Sequence, residues 1–177
     1  VSLLEFNRVY KMLGIDFDSS AGEAFYSDKM QNIIDELDDK QMLVESNNAQ
    51  IVDLEEYDMT PMLIRKSDGS TLYATRDLAA AQYRWDTYKF DKNIYVVGSQ
   101  QILHFRQLFK VLELMGKEWA KDCIHIPFGM VSLPEGAMST RRGNVVHLED
   151  VLLTSIEKTK EIIKDRNIED KEELAAQ

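Results

Sequence analysis

A strand–helix–strand run in the second half of the chain constrains the fold more than any other feature. Residues 92–98 (KNIYVVG) form a continuous apolar run rich in β-branched residues, which is typical of a buried parallel strand. Residues 99–116 have the apolar spacing of an amphipathic helix, and residues 123–133 (CIHIPFGMVSL) indicate a second strand. Strands joined through a helix pair in parallel by a right-handed crossover. The sequence therefore predicts an α/β fold with a mainly parallel sheet.

The remaining segments surround this unit with helices and short strands. Apolar spacing predicts helices over residues 2–13, 27–39, 76–88 and 149–166. Residues 41–46 and 49–54 resemble short strands. The turn sequence SDGS at residues 67–70 separates two apolar runs, so residues 61–75 are predicted to form a hairpin.

Composition narrows the classes of function. The net charge of −10 argues against a general nucleic-acid binder, although a local patch could still meet a polyanion. Cys123 is the only cysteine, and the three histidines lack ligand spacing, so no disulfide or protein-bound metal is predicted. No membrane span or secretory signal is apparent, and a reducing cytoplasmic location is expected.

Candidate ligand groups lie where the predicted strands end, since open parallel sheets bind ligands beyond the carboxyl ends of their strands. Tyr73 and Asp77 share a helix face if the helix begins by Tyr73, and could bind a cationic or multi-donor group. Alternatively, Asp77 complements the helix dipole and Tyr73 packs on the sheet. After Gly98, Gln101 and His104 could hold a polar ligand, or this is an ordinary strand-to-helix turn.

An arginine-containing loop is the third candidate. Ser139, Thr140, Arg141 and Arg142 supply hydroxyl and guanidinium donors that suit a phosphate. The segment lacks the glycine and lysine spacing of a P-loop. A solvated loop before a helix is the alternative.

Together, these pieces resemble the arginyl-tRNA synthetase family. The resemblance rests on FDSSAGEAFY, DGSTLYATRDLAAAQYR, YVVGSQQILHFRQLF, FGMV and MSTRRGNVVHLEDVL, in this order along nearly the whole chain. It implies a class I aminoacyl-tRNA synthetase with a Rossmann-like catalytic core. Such a ligase activates arginine with ATP to arginyl-adenylate and transfers it to tRNA(Arg) in protein biosynthesis, and arginine activation in this family typically needs bound tRNA.

The resemblance also implies residue roles. Glu23 and Asp77 would face the arginine guanidinium, with hydrogen bonds from Tyr73 and Gln101. The ATP-binding residues would be Gly98, His104, Gly129, Met130, Val131, Met138 and Ser139. The loop residues Ser139, Thr140, Arg141 and Arg142 would stabilise pyrophosphate transfer. Mg²⁺ would bind together with ATP. The acceptor end of the tRNA would be bound mostly by other domains.

Two departures from the family pattern qualify this resemblance. The class I signature loop reads Lys-Met-Ser-Lys-Ser, whereas this chain has Ala137 and Thr140 at the two lysine positions, so Arg141 or Arg142 would supply the charge. No His-Ile-Gly-His-like motif occurs in the chain. We therefore expect an incomplete nucleotide fold, the second half of a catalytic domain that is inactive alone.

The expected organisation has three parts. Residues 1–60 would form a helical and irregular segment of the catalytic domain, and residues 61–147 the second half of the core with its signature loop. Residues 148–177 would be helices leading to an absent anticodon-binding domain. Two alternatives remain open: a catalytically silent nucleotide- or partner-binding module on the same fold, and another class I synthetase or nucleotidyltransferase.

Overall fold

The computed structural model describes residues 2–130, 132–133, 136–137 and 146–164. The chain divides into two compact units. The larger unit is residues 20–130, and the smaller takes its described residues from 1–19 and 131–177. Each unit is described by itself below.

The larger unit contains three α-helices and five strands, with short 3₁₀ helices between them. The helices are α2 (Met30–Asp39), α3 (Tyr73–Tyr88) and α4 (Ile102–Leu114). The strands are β1 (Val44–Ser46), β2 (Ala49–Val52), β3 (Met62–Arg65), β4 (Asn93–Gly98) and β5 (Cys123–Phe128). The 3₁₀ helices are Glu23–Lys29, Glu55–Tyr57, Ser99–Gln101 and Glu118–Asp122.

The predicted strand–helix–strand unit is confirmed. Strands β4 and β5 pair in parallel, from Asn93 opposite Cys123 to Gly98 opposite Phe128, with α4 between them in the chain. Strands β1, β2 and β3 form a separate antiparallel sheet in that order. The described strands therefore combine a parallel pair with an antiparallel sheet, within the expected α/β class.

The smaller unit contains α1 (Ser2–Met12), α5 (Leu148–Ile163) and the two-residue strands β6 (Ser132–Leu133) and β7 (Gly136–Ala137). Strands β6 and β7 are antiparallel. Helices α1 and α5 are joined by an ion pair between Arg8 and Glu149. An ion pair at the surface contributes little to stability, about 1 kcal/mol or less.

One apolar core holds the larger unit together. It combines α2, α3 and α4 with the inward side chains of both sheets, and Leu37, Ile64, Leu78 and Leu108 are completely buried in it. The hydroxyl of Thr75, also completely buried, donates a hydrogen bond of 2.6 Å to the carbonyl of Ile64. This bond fixes the first turn of α3 against β3.

Aromatic packing secures the inner face of the parallel strands. Phe105 of α4 stacks on His125 with 4.4 Å between ring centroids, and lies 4.9 Å from the ring of Tyr95. Burial raises the pKa of Tyr95 to about 12, despite the favourable charge of Arg84 nearby. Burial also raises the pKa of Cys123 to about 11, so its thiol remains protonated at neutral pH.

The hairpin predicted over residues 61–75 is wrong in its second arm. Gly69 turns the chain at φ +80°, and only an isolated bridge joins Arg65 to Thr71. The chain then enters α3 at Tyr73, and β3 finds its ladder partner in β2 instead. The alanine-rich stretch that follows favours a helix, which begins early enough to include Tyr73 and Ala74.

Other boundaries also differ from the sequence prediction. The helix predicted to begin at Ser27 starts as a 3₁₀ helix at Glu23 and becomes α-helical at Met30. The strand predicted over residues 123–133 ends at Phe128, and Ser132–Leu133 pairs separately with Gly136–Ala137.

The composition of the parallel strands predicted burial on both faces, and this prediction is wrong for one of them. Side chains on the inner face pack under α4, whereas those on the opposite face, which we call the outer face, are exposed: Ile94, Val96, Ile126 and Phe128. Val96 is 65% exposed. Within residues 20–130, no helix covers this second face.

None of the helices among the described residues is both long enough and apolar enough to cross a membrane.

Candidate active site

The N-terminal turns of α3 and α4 meet in the larger unit and bring three predicted site residues together. Tyr73 is the first residue of α3, and Asp77 lies one turn further along it. Strand β4 ends at Gly98, and a 3₁₀ turn leads from there into α4, whose first turn carries His104. This is the carboxyl end of the parallel strands, where ligands bind in such sheets.

A hydrogen bond joins the two helices at this point. Nε2 of His104 lies 2.7 Å from Oδ2 of Asp77, and the imidazole is 5.0 Å from the ring of Tyr73. The side chain of His104 is only 9% exposed, whereas that of Asp77 is 39% exposed. The result is a solvent-facing carboxylate held from behind by a buried imidazole.

The phenol of Tyr73 also faces solvent. Tyr73 is 57% exposed, so it is not packed on the sheet as the structural alternative required. Its position beside Asp77 and His104 leaves a hydroxyl and a carboxylate available on one face of α3. Such a pair can bind a cation that carries several N–H donors.

Gly98 lies in a crowded position at the end of β4. A Cβ built at Gly98 would lie 2.7 Å from Oε1 of Gln100 and 3.5 Å from the sulfur of Met130. The pairing of Gly98 with Phe128 explains why Met130, two residues beyond β5, comes this close. Thus Gly98 and Met130 adjoin each other, whereas a Cβ at Gly129 would meet open space.

Gln101 lies in the 3₁₀ turn between β4 and α4, close in the chain to His104. Its side chain is exposed, and it is available to a ligand at the sheet edge. Met130 is likewise 63% exposed.

Glu23 has Arg76 as its ion-pair partner. Its carboxylate accepts a hydrogen bond of 2.7 Å from Nη1 of Arg76, and its side chain is 83% exposed. Within the described part of the chain, no hydrogen bond or ion pair links Glu23 to Tyr73, Asp77 or His104. The structure therefore connects Glu23 to the site through Arg76, the neighbour of Asp77 in sequence.

Sequence reasoning overlooked Arg76. Its Nε is buried without a hydrogen-bond partner, while its Nη1 binds Glu23. An arginine directly before the candidate aspartate could have indicated that one of the two proposed carboxylates already has a cationic partner.

Val131 and the loop residues Met138, Ser139, Thr140, Arg141 and Arg142 lie outside the described residues. As for metals, no cluster of three or more histidine, cysteine, aspartate or glutamate ligands is found among the residues with described positions.

Solved structures of two arginyl-tRNA synthetases share the fold of this chain. An arginyl-tRNA synthetase from Plasmodium falciparum superimposes with a TM-score of 0.80 at 24% identity, covering 99% of this chain and 30% of its own. The arginyl-tRNA synthetase of Thermus thermophilus gives 0.69 at 18% identity, covering 87% of this chain and 32% of its own. The fold is that of a class I synthetase catalytic core.

The sequence comparisons then specify the family. The model for the catalytic domain of class I tRNA synthetases (R) matches residues 1–176, so this chain belongs to that family. It is 68% identical over 177 residues to an arginine–tRNA ligase of Halothermothrix orenii, and 65% identical over 178 residues to one of Clostridioides difficile. In both comparisons the match covers 99% of this chain and 31% of the relative.

Proposed function

We propose that the protein containing this chain is an arginine–tRNA ligase, and that the Asp77 carboxylate binds the guanidinium of the substrate arginine. One observation carries the residue assignment: Asp77 is exposed at the ligand edge of the fold while His104 anchors it from inside. The family membership supports the reaction.

The reaction joins arginine and ATP as arginyl-adenylate, with release of pyrophosphate. The arginyl group then passes to the acceptor end of tRNA(Arg). An ionised carboxylate matches the planar, multi-donor guanidinium, since each oxygen can accept an N–H. Citrulline, a neutral isostere, would leave the carboxylate charge unpaired, so the same contact rejects it.

Neighbouring groups complete the proposed pocket. Tyr73 and Gln101, both exposed at the same edge, would add hydrogen bonds to the amino acid. Glu23 would also face the guanidinium, in which case the substrate would compete with Arg76 for its carboxylate.

The ATP side of the proposed site lies around the end of β4. The close approach of Gly98 and Met130 supports an adenine position there. The family resemblance adds Gly129, Val131, Met138 and Ser139 as further ATP-binding residues. The loop residues Ser139, Thr140, Arg141 and Arg142 would stabilise the charge that develops on the pyrophosphate. Mg²⁺ would arrive with ATP. We place the enzyme in the cytoplasm, where its tRNA substrate is used.

The proposal is tested on the full-length protein by calorimetry with arginine, citrulline and lysine. Asp77→Asn should weaken arginine binding roughly 10- to 150-fold, because a charge-assisted pair worth about 1.5–3 kcal/mol is lost. Discrimination against citrulline should fall with it.

Asp86→Asn is the matched control. Asp86 lies on the same helix, where it accepts a hydrogen bond from Gln82 and pairs with Lys89 at the surface. This variant should bind arginine like the parent protein. Unchanged arginine affinity in Asp77→Asn would refute the pocket. A parent protein that binds nucleotide but does not bind arginine would indicate a catalytically silent module.

A further inference from the structure

We propose that His104 is a positioning residue that holds Asp77 in the orientation needed to receive the arginine guanidinium. This inference rests on the proposed function, because it deepens the role of the same pocket. It assigns His104 to the amino-acid side of the site, whereas the family resemblance implied a contact with ATP.

The hydrogen bond between His104 and Asp77 leaves part of the carboxylate open to a ligand. Nε2 of His104 lies 2.7 Å from Oδ2 of Asp77. The hydrogen bond occupies one carboxylate oxygen from the protein side and leaves Oδ1 for a ligand. An ionised carboxylate has about four lone-pair positions, so the anchored oxygen can still accept a second N–H. Anchoring by His104 is therefore compatible with two-point recognition of a guanidinium.

The rings packed around His104 hold its imidazole in place. The imidazole is nearly buried and lies between two rings, that of Tyr73 at 5.0 Å and that of Phe105 at 5.2 Å. Phe105 is itself 5% exposed and stacks on His125 of β5. The core thus fixes the histidine, and the histidine in turn fixes a carboxylate that is open to solvent.

Anchoring of Asp77 by His104 lowers the entropic cost of binding arginine. A half-exposed aspartate without a partner would have to lose side-chain freedom when the substrate arrives, and that loss subtracts from affinity. A carboxylate already held within the fold avoids much of it, which is the general advantage of a supported binding group. In this arrangement Nε2–H of His104 donates the hydrogen bond and the carboxylate of Asp77 accepts it.

Two substitutions at His104 separate the donor from the ring. In His104→Gln the amide nitrogen is as many bonds from Cβ as Nε2 of histidine, so it can donate to Asp77. In His104→Asn the nitrogen is one bond closer and cannot reach the same position. The two variants have the same functional group and differ in its reach.

The experiment measures arginine-dependent ATP–pyrophosphate exchange by the full-length protein with tRNA present. His104→Asn should raise KM for arginine roughly 10-fold and leave KM for ATP unchanged, and His104→Gln should recover most of that loss. In an Asp77→Asn background, His104→Asn should add little, because groups that act through one contact are not additive. Thermal unfolding of each variant accompanies the kinetics.

The outcomes distinguish this inference from the proposed function. If Asp77→Asn raises KM for arginine but His104→Asn does not, the role of His104 is refuted and the pocket stands. If Asp77→Asn has no effect, the pocket and the inference both fall. A rise in KM for ATP alone would assign His104 to the nucleotide and overturn the inference, as would a lowered melting temperature with unchanged KM values.

Discussion

At the residue scale, the surroundings of Asp77 depend on both local spacing and tertiary contacts. The spacing of Tyr73 and Asp77 is enough to place both on one helix face. It does not reveal that Asp77 meets His104, which lies 27 residues further along and belongs to another helix. The contact needs α3 and α4 to pack with their N-terminal turns side by side.

Thr75 gives a stability prediction at this scale. Thr75→Val keeps the shape of the side chain but removes the donor to the Ile64 carbonyl inside the core. Losing one buried partner in this way costs about 1–3 kcal/mol, so the free energy of unfolding measured with urea should fall by that amount.

Thr154→Val is the control for this substitution. Thr154 is exposed on α5, where its hydroxyl donates to the carbonyl of Asp150 in the preceding turn. Replacing it should change the free energy of unfolding by no more than about 0.5 kcal/mol. Equal effects of the two substitutions would show that the Thr75 bond does not stabilise the core.

At the element scale, the parallel strands show that composition and burial are different properties. β4 contains apolar residues on both faces, but only the inner face meets α4 and its aromatic side chains. The outer face exposes four large apolar side chains in a row across two strands. A cluster of this kind is unusual on a free protein surface.

Adjacent valines on β4 provide a matched test of the two faces. Val97→Thr introduces a hydroxyl on the face that packs against the core, and should reduce the free energy of unfolding of the 177-residue chain by about 1–3 kcal/mol. Val96→Thr makes the same change on the outer face, and should alter it by no more than about 0.5 kcal/mol.

The outer face should also be visible to a fluorescent dye that binds apolar surfaces. Val96→Thr is expected to lower dye binding by the 177-residue chain, because it makes the exposed patch more polar. A large loss of stability in Val96→Thr, comparable with that of Val97→Thr, would contradict the assignment of the two faces.

At the scale of the whole molecule, the chain spans less than a third of the length of the curated relatives that it matches. The Asp77–His104 pair lies within the unit formed by residues 20–130. The proposed phosphate loop falls among the residues that belong to the other unit.

The 177-residue chain alone is expected to lack arginine-dependent ATP–pyrophosphate exchange, even with tRNA present. The physical reason is that a class I site also uses a His-Ile-Gly-His-like motif for ATP, and this sequence contains none. The full-length protein, assayed at the same concentration, is the positive control. Robust exchange by the 177-residue chain would show that its own residues suffice.

The sequence by itself determined the strand–helix–strand unit and the helical face shared by Tyr73 and Asp77. Both depend on local periodicity, which a chain carries whatever its neighbours are. It also contained the family resemblance that the comparisons confirmed.

Only the tertiary structure decided which groups meet and which faces are covered. Three contacts join residues far apart in sequence: β3 with β2, Asp77 with His104, and Glu23 with Arg76. The exposure of the outer face likewise depends on which elements pack against it. Such contacts depend on how elements pack around one core, and many packings satisfy the same local pattern.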